Sequence, residues 1–266
     1  MISSLQLNII ENTKVAPGVY RLVLLAPSEI NVVPGQFFNL KIPGKSLRRP
    51  ISVMGQEGRK LIFVYKTVGE GTKILSTMTA GQSLEAIGPL GNGFSLPLEP
   101  TPILLVGGGI GTPPLMMLAA QAVSKGFPTT LLFGFRTKED ALFLKETAAL
   151  AASLSSKENS AAEVAGVKKG SLTAHYVFDE EGENVVSAMK KHGLCDLPFF
   201  ACGPLPMLKA VSEASWADGQ CSLETRMGCG FGACMGCSLE TTQGMKRVCK
   251  EGPVFQKEEI LWEALM

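Results

Sequence analysis

Ile103-Leu104-Leu105-Val106-Gly107-Gly108-Gly109-Ile110-Gly111-Thr112-Pro113-Pro114 is the stretch on which the architecture turns. Four consecutive aliphatic residues predict a strand buried on both faces, as in a parallel sheet. The glycines predict a tight turn, and the prolines after them predict the first turn of a helix over 113–124. A strand that passes through glycines into a helix N-terminus brings backbone N–H groups to the sheet's C-terminal edge, where a pyrophosphate is well held. Gly107, Gly108, Gly109 and Gly111 are therefore candidate NAD-binding residues. Glycines needed only for strand–helix packing are the plainer reading of the same run.

Outward from this stretch the strand–helix rhythm continues. Residues 129–133 predict a second strand and 139–151 a second helix. Residues 197–201 predict a later strand with a helix over 206–215. This alternation is that of a Rossmann-like parallel α/β domain. Ala201-Cys202-Gly203-Pro204 closes the later strand at the same sheet edge as the glycine loop, which makes Cys202 and Gly203 candidates beside a nicotinamide. Packing alone is the other reading of Cys202. Arg136 either meets the adenosine end of a dinucleotide or is a solvated loop charge. Residues 152–169 are rich in Ser, Ala and Lys and follow no readable period.

Upstream, residues 19–25, 36–42, 60–66 and 83–87 are short β-branched and apolar runs bounded by Pro or Gly, the pattern of a small antiparallel β-barrel. Pro97, Pro100 and Pro102 interrupt the pattern, and after Trp216 a Gly- and Cys-rich tail begins. The expected fold class is mixed β and α/β in three parts: a barrel over 1–99, an α/β domain over 100–216 and a small domain over 217–266.

Hydrophobic residues make up 45% of the 266 and charged residues 18%, which supplies a core and excludes a disordered chain. Lys and Arg total 25 against 24 Asp and Glu, so no basic field for nucleic acid or an anionic membrane is present. Residues 1–11 carry no export signal, and the most apolar stretch, 103–122, is too broken by Gly and Pro to span a bilayer. The expectation is a soluble, cytoplasmic protein.

Five of the 7 cysteines lie between Cys221 and Cys249. Four of them read Cys229-x4-Cys234-x2-Cys237-x11-Cys249, and the first two gaps have the plant-type [2Fe–2S] spacing. Gly228, Gly230, Gly232 and Gly236 stand among them, so the backbone can turn N–H groups toward sulfur. The alternative, a four-cysteine zinc site, usually shows two close Cys pairs where this chain has one. The short gap to Cys249 argues against a full ferredoxin domain as host. Cys195 and Cys221 read as packing residues.

Arg49-Pro50-Ile51-Ser52 combines a guanidinium suited to a pyrophosphate with a hydroxyl suited to a flavin ring. A surface turn is the competing reading. Val64-Tyr65-Lys66, followed by Gly69-x-Gly71-Thr72, adds a second segment with N–H groups at the start of a helical turn. Tyr65 as a core aromatic is the bland alternative. His175 and His192 are the only histidines, and neither lies in a motif; no catalytic acid or base is predicted.

Together, R-P-I-S, G-G-G-I-G, C-G-P and the cysteine loop resemble the ferredoxin–NADP reductase superfamily. More narrowly, they resemble the electron-transfer subunits of type 1B dihydroorotate dehydrogenase. The resemblance covers essentially the whole chain and is most specific at Gly88-Pro89-Leu90-Gly91-Asn92-Gly93-Phe94, at residues 107–115 and at residues 227–237. It implies FAD at Arg49, Pro50, Ile51, Ser52, Val64, Tyr65, Lys66, Gly71 and Thr72, and a [2Fe–2S] cluster on Cys229, Cys234, Cys237 and Cys249. It also implies NAD(H) and an FMN-containing dihydroorotate dehydrogenase catalytic subunit as partner, in a heterotetramer of two chains each serving pyrimidine synthesis. The chain departs from many superfamily members by having Ile51 in place of an aromatic, which leaves Tyr65 as the candidate to stack on the flavin. The rival within the superfamily is a reductase subunit feeding a hydrogenase, a ferredoxin or an oxygenase. A zinc-bearing scaffold is the rival outside it.

Overall fold

Strand β6 (Ser83–Leu90) alternates exposed and buried residues along its first half, the period of a strand with one wet face. With β1 (Ser3–Ala16), β2 (Val19–Leu25), β3 (Phe37–Leu40), β4 (Arg49–Glu57) and β5 (Lys60–Lys66) it forms a closed antiparallel barrel, ordered β1-β2-β5-β4-β3-β6. The long β1 closes it: its first half pairs with β6 and its second with β2, with register breaks between Ile9 and Glu11 and between Lys14 and Ala16. Leu22, Leu24, Phe38, Leu40, Val53 and Phe63 are fully buried, and Phe38 meets Phe63 edge-on at 5.8 Å. Helix α1 (Glu70–Thr77) follows β5, and Asn12 of β1 donates to its last carbonyls, Leu75 and Met78, both at 2.8 Å.

The computed structural model describes residues 3–145, 147–149 and 170–266, and the chain forms two compact units. One is Met1–Phe94 with Cys221–Met266; the other is Ser95–Gln220. The tail expected as a separate domain over 217–266 thus clusters with the barrel. Its only hairpin, β12 (Ser238–Thr241) with β13 (Gly244–Arg247), is too small to enclose a core. Asn92 latches it: the amide donates to the Glu251 and Val254 carbonyls at 2.9 and 2.8 Å and accepts from Val254 N–H at 3.0 Å. Pro253 presses so close that a Cβ on Gly91 would lie 2.5 Å from its Cδ. The distinctive 88–94 stretch is therefore where the tail is fastened.

In the second unit β7 (Ile103–Gly108), α2 (Pro113–Ser124) and β8 (Thr129–Phe135) form a strand–helix–strand crossover. They are followed by β9 (Leu172–Phe178), α3 (Val185–Lys191), β10 (Phe199–Cys202) and α4 (Leu205–Ala214), after which the chain continues into β11 (Gly219–Ser222). Within this unit the strands β10-β7-β8-β9 lie side by side in that order, all parallel. Leu104, Leu105, Leu131, Leu132 and Ala201 are fully buried in it, as strands covered on both faces require. Where the expected helix over 139–151 begins there is a short turn at Lys138–Asp140; residues 144–145 and 147–149 are helical, and residues 146 and 150–169 lie outside the described residues. The two ends of this unit meet: Gln220 donates to the Ser95 carbonyl at 2.7 Å and accepts from Ser95 N–H at 2.9 Å. Among the described residues no helix is long and apolar enough to cross a membrane.

Candidate functional site

Two thiol pairs stand in the tail. Cys229 and Cys234 lie 3.4 Å apart sulfur to sulfur, and Cys237 and Cys249 lie 3.2 Å apart. The loop carrying the first three turns its amides inward. Burial raises the Cys229 thiol, but N–H groups of Cys234, Phe231 and Ala233 outweigh it and bring it down to about 6. Cys249 goes the other way. Burial and then the hydrogen bond and charge of Cys237 push it up to about 12, against an N–H from Gly232, and the charge of Cys229 adds to the rise. The two pairs therefore share one electrostatic site. Two thiolates for each of two irons suits this pairing, whereas zinc takes all four about one point. Among the described residues no group of three or more Cys, His, Asp or Glu is arranged to hold a single metal ion.

With its amides turned in, the loop needs partners for its carbonyls, and two side chains that sequence reasoning missed supply them. Asn39 of β3 donates from Nδ2 to the Cys229 carbonyl at 3.2 Å. Arg247, at the end of β13, donates to the Gly232 carbonyl at 2.5 Å. Its guanidinium is set by Glu251, whose carboxyl the Arg247 hydrogen bonds hold down to about 2. Gly230, at φ +77°, lies directly against Asn39, so a side chain there is excluded by backbone and space together. The signal for Asn39 was visible as the one polar residue in the buried run Phe37-Phe38-Asn39-Leu40.

The flavin candidates converge on the barrel. Arg49, Pro50, Ile51 and Ser52 form the start of β4, a strand where a surface turn was the competing expectation. The Arg49 guanidinium lies across the N-terminus of α1: a Cβ on Gly71 would come 2.5 Å from Arg49 Nε. A cation beside a helix N-terminus, closely packed over Gly71, fits a pyrophosphate. Thr72 spends its hydroxyl on the cap, accepting from Val68 and Gly69 N–H groups, so the backbone is what this turn offers. Val64 and Tyr65 are buried within β5, and Lys66 ends it exposed. Tyr65, the candidate for stacking, is 2% exposed, stacks on Tyr20 at 5.7 Å and donates to Asn12 at 3.0 Å. Its ring face is engaged in the protein, which corrects the stacking expectation. Replacing Arg49 with Ala is expected to weaken FAD retention roughly ten- to hundredfold, since a charge-assisted phosphate contact contributes about 1.5–3 kcal/mol. Flavin content after dialysis measures it, and unchanged content removes Arg49 from the site.

The nicotinamide candidates meet at the sheet edge. β10 lies on one side of β7 and β8 on the other, so the chain reverses direction of spread between β7 and β10, where open α/β sheets take their ligands. Cys202 pairs with Gly107, which sets Gly203 beside the loop. Gly107 packs on Thr112 and Phe133, Gly108 on Met207 and Pro204. A Cβ on Gly111 would run into the backbone of the next strand end, at 2.5 Å from the Cys202 carbonyl carbon and 2.6 Å from Gly203 Cα. Gly109 faces open space at φ +51°. Arg136 is exposed just past β8 at the same edge. Cys195, outside every site, offers its carbonyl to Trp216 N–H and the Ser215 hydroxyl, and Cys221 is fully buried.

Comparison with known proteins adds independent findings. Residues 224–261 match the model of the iron–sulfur cluster binding domain of dihydroorotate dehydrogenase B, and residues 105–213 match the oxidoreductase NAD-binding domain. A Geobacillus dihydroorotate dehydrogenase B (NAD(+)) electron transfer subunit is 37% identical, over 98% of this chain and 100% of its own. The Fusobacterium nucleatum protein of the same name is 34% identical over 94% of this chain and 95% of its own. Among solved structures, an NADH-dependent reduced ferredoxin–NADP oxidoreductase aligns with a TM-score of 0.77 at 26% identity, covering 97% of this chain and 91% of that one. A Plasmodium falciparum ferredoxin–NADP+ reductase, at 13% identity and a TM-score of 0.62, covers 79% of this chain and 90% of its own and shares the fold.

Proposed function

The chain belongs to the family of dihydroorotate dehydrogenase B electron-transfer subunits, and from that premise we propose that it passes electrons between a dihydroorotate-oxidising subunit and NAD+. The observation that carries this reading is that the four-thiol loop and the barrel with Arg49–Ser52 form one compact unit, with the loop anchored on the strand next to theirs. Cys229, Cys234, Cys237 and Cys249 would hold the [2Fe–2S] cluster. Arg49, Pro50, Ile51, Ser52, Val64, Lys66, Gly71 and Thr72, with the Tyr65 backbone, would hold FAD. Gly107, Gly108, Gly109, Gly111, Cys202 and Gly203 would receive NAD(H). A bound flavin exchanges two electrons with a nicotinamide and one at a time with an iron–sulfur cluster, which is why both belong in one chain.

We assign the carbon chemistry to an FMN-containing partner, since the candidate site residues named above include no His, Asp or Glu. The rings of His175 and His192 lie 4.3 Å apart, tilted by 30°, in the nucleotide unit. We assign the pair of subunits to a heterotetramer of two chains each, and to the cytoplasm, where a reducing environment keeps ligand thiols available. NADH rather than NADPH is the proposed cofactor. The test is co-purification with the catalytic subunit and assay of dihydroorotate-dependent NAD+ reduction. A partner that is a hydrogenase or an oxygenase, with no dihydroorotate activity, overturns the assignment.

Chain purified without oxygen is expected to contain about two irons and two sulfides. Cys234→Ser should lose them, and Cys195→Ser should keep them. Metal analysis decides the matter, and stoichiometric zinc without iron would refute the cluster.

A further inference from the structure

Asn39 stands out because its fold alone does not need it. On β3 its neighbour Phe38 points into the barrel against Phe63, so Asn39 points outward. It is nevertheless 1% exposed, since the cysteine loop covers it. Nδ2 is used on the Cys229 carbonyl, but Oδ1 is buried with no partner among the described residues. A half-satisfied buried amide is worse for stability than an apolar side chain of its shape. Across the ladder Asn39 faces Pro50, and Phe37, two residues back on the same face, faces Ser52. One amide thus ties the first cluster ligand to the strand partner of Arg49–Ser52.

We propose that Asn39 is a positioning residue of the electron path, fixing the Cys229 end of the ligand loop at a set place on the barrel. The proposal rests on the cluster and flavin reading above. Electron transfer falls steeply with separation, so a loop that shifts on the barrel changes the relay even when every ligand is present. The donor also places the positive end of an N–H dipole beside the first cluster ligand, which favours the reduced cluster. Gly230 complements this, because its missing side chain is what lets the amide reach the carbonyl.

The test uses the full chain prepared without oxygen, comparing wild type with Asn39→Leu. Iron and sulfide in the wild type decide the cluster reading separately. Asn39→Leu is expected to unfold within a few degrees of the wild-type temperature, because loss of the unpaired oxygen offsets loss of the hydrogen bond to the Cys229 carbonyl. It should release iron to a chelator about tenfold faster, for one lost hydrogen bond of ordinary strength. The electron paramagnetic resonance spectrum of its dithionite-reduced cluster should shift, and the midpoint potential should move more negative. A purely structural residue would lower the unfolding temperature and leave spectrum and potential alone. Should Asn39→Leu fail to fold, Asn39→Ala reads the same signals. Wild-type iron release, spectrum and potential in the folded variant overturn the proposal.

Discussion

Combined with the dihydroorotate-oxidising subunit, a Cys249→Ser chain is expected to lose dihydroorotate-dependent NAD+ reduction by at least about a hundredfold, as removal of an essential group does. Cys249 is 1% exposed and forms the second thiol pair with Cys237, so no side chain from solvent replaces it. Serine is nearly isosteric, the tail remains fastened through Asn92, and Arg247 still holds the Gly232 carbonyl within the loop. The same variant should retain NADH-driven reduction of a dye, because the residues that would hold FAD and NAD(H) do not include Cys249 or its thiol partner Cys237. Measuring both rates on one preparation separates a severed relay from a damaged fold. A clusterless variant that still couples dihydroorotate oxidation to NAD+ at the wild-type rate would show that electrons bypass the cluster.

The second large effect is expected at the sheet edge. Gly111→Ala drives a methyl group into the backbone of Cys202 and Gly203, which belongs to the sheet and cannot swing aside like a side chain. Overpacking of this kind costs about 1–3 kcal/mol, or roughly five- to 150-fold if all of it falls on NADH binding. The Michaelis constant for NADH in dye reduction should rise accordingly, while flavin and iron contents, which depend on residues of the other unit, stay at wild-type levels. An unchanged constant would place the nicotinamide elsewhere.

Motifs whose chemistry depends on neighbours in the chain were legible in the sequence. The cysteine spacing, the glycine run after Ile103–Val106 and the strand 60–66 needed only local pattern, because ligand loops and strand–helix turns are built from consecutive residues. Contacts between distant segments were not legible. Asn39 and Cys229 are separated by 190 positions, and Asn92 and Val254 by 162, and no period links them. Tyr65 was misjudged for the same reason: its motif suggested an offered ring, but Asn12 and Tyr20 of the first two strands had already engaged it. The tail was legible as a C-terminal iron–sulfur domain because its composition changes at Trp216, and residues 224–261 match such a domain. Its clustering with the barrel was not legible, because composition does not reveal which surface a small segment needs for burial.

The bond between Gln220 and Ser95 gives the nucleotide unit the geometry of an inserted cassette. Chain enters and leaves the interval 95–220 at neighbouring points, so an insertion or deletion in a surface loop within it leaves the distance between its two ends unchanged. The barrel and the cysteine loop, by contrast, are two ends of a single unit held apart in sequence by that cassette. The glycine loop and the four-thiol loop are thereby separated, the first inside the interval and the second in the unit that the interval interrupts.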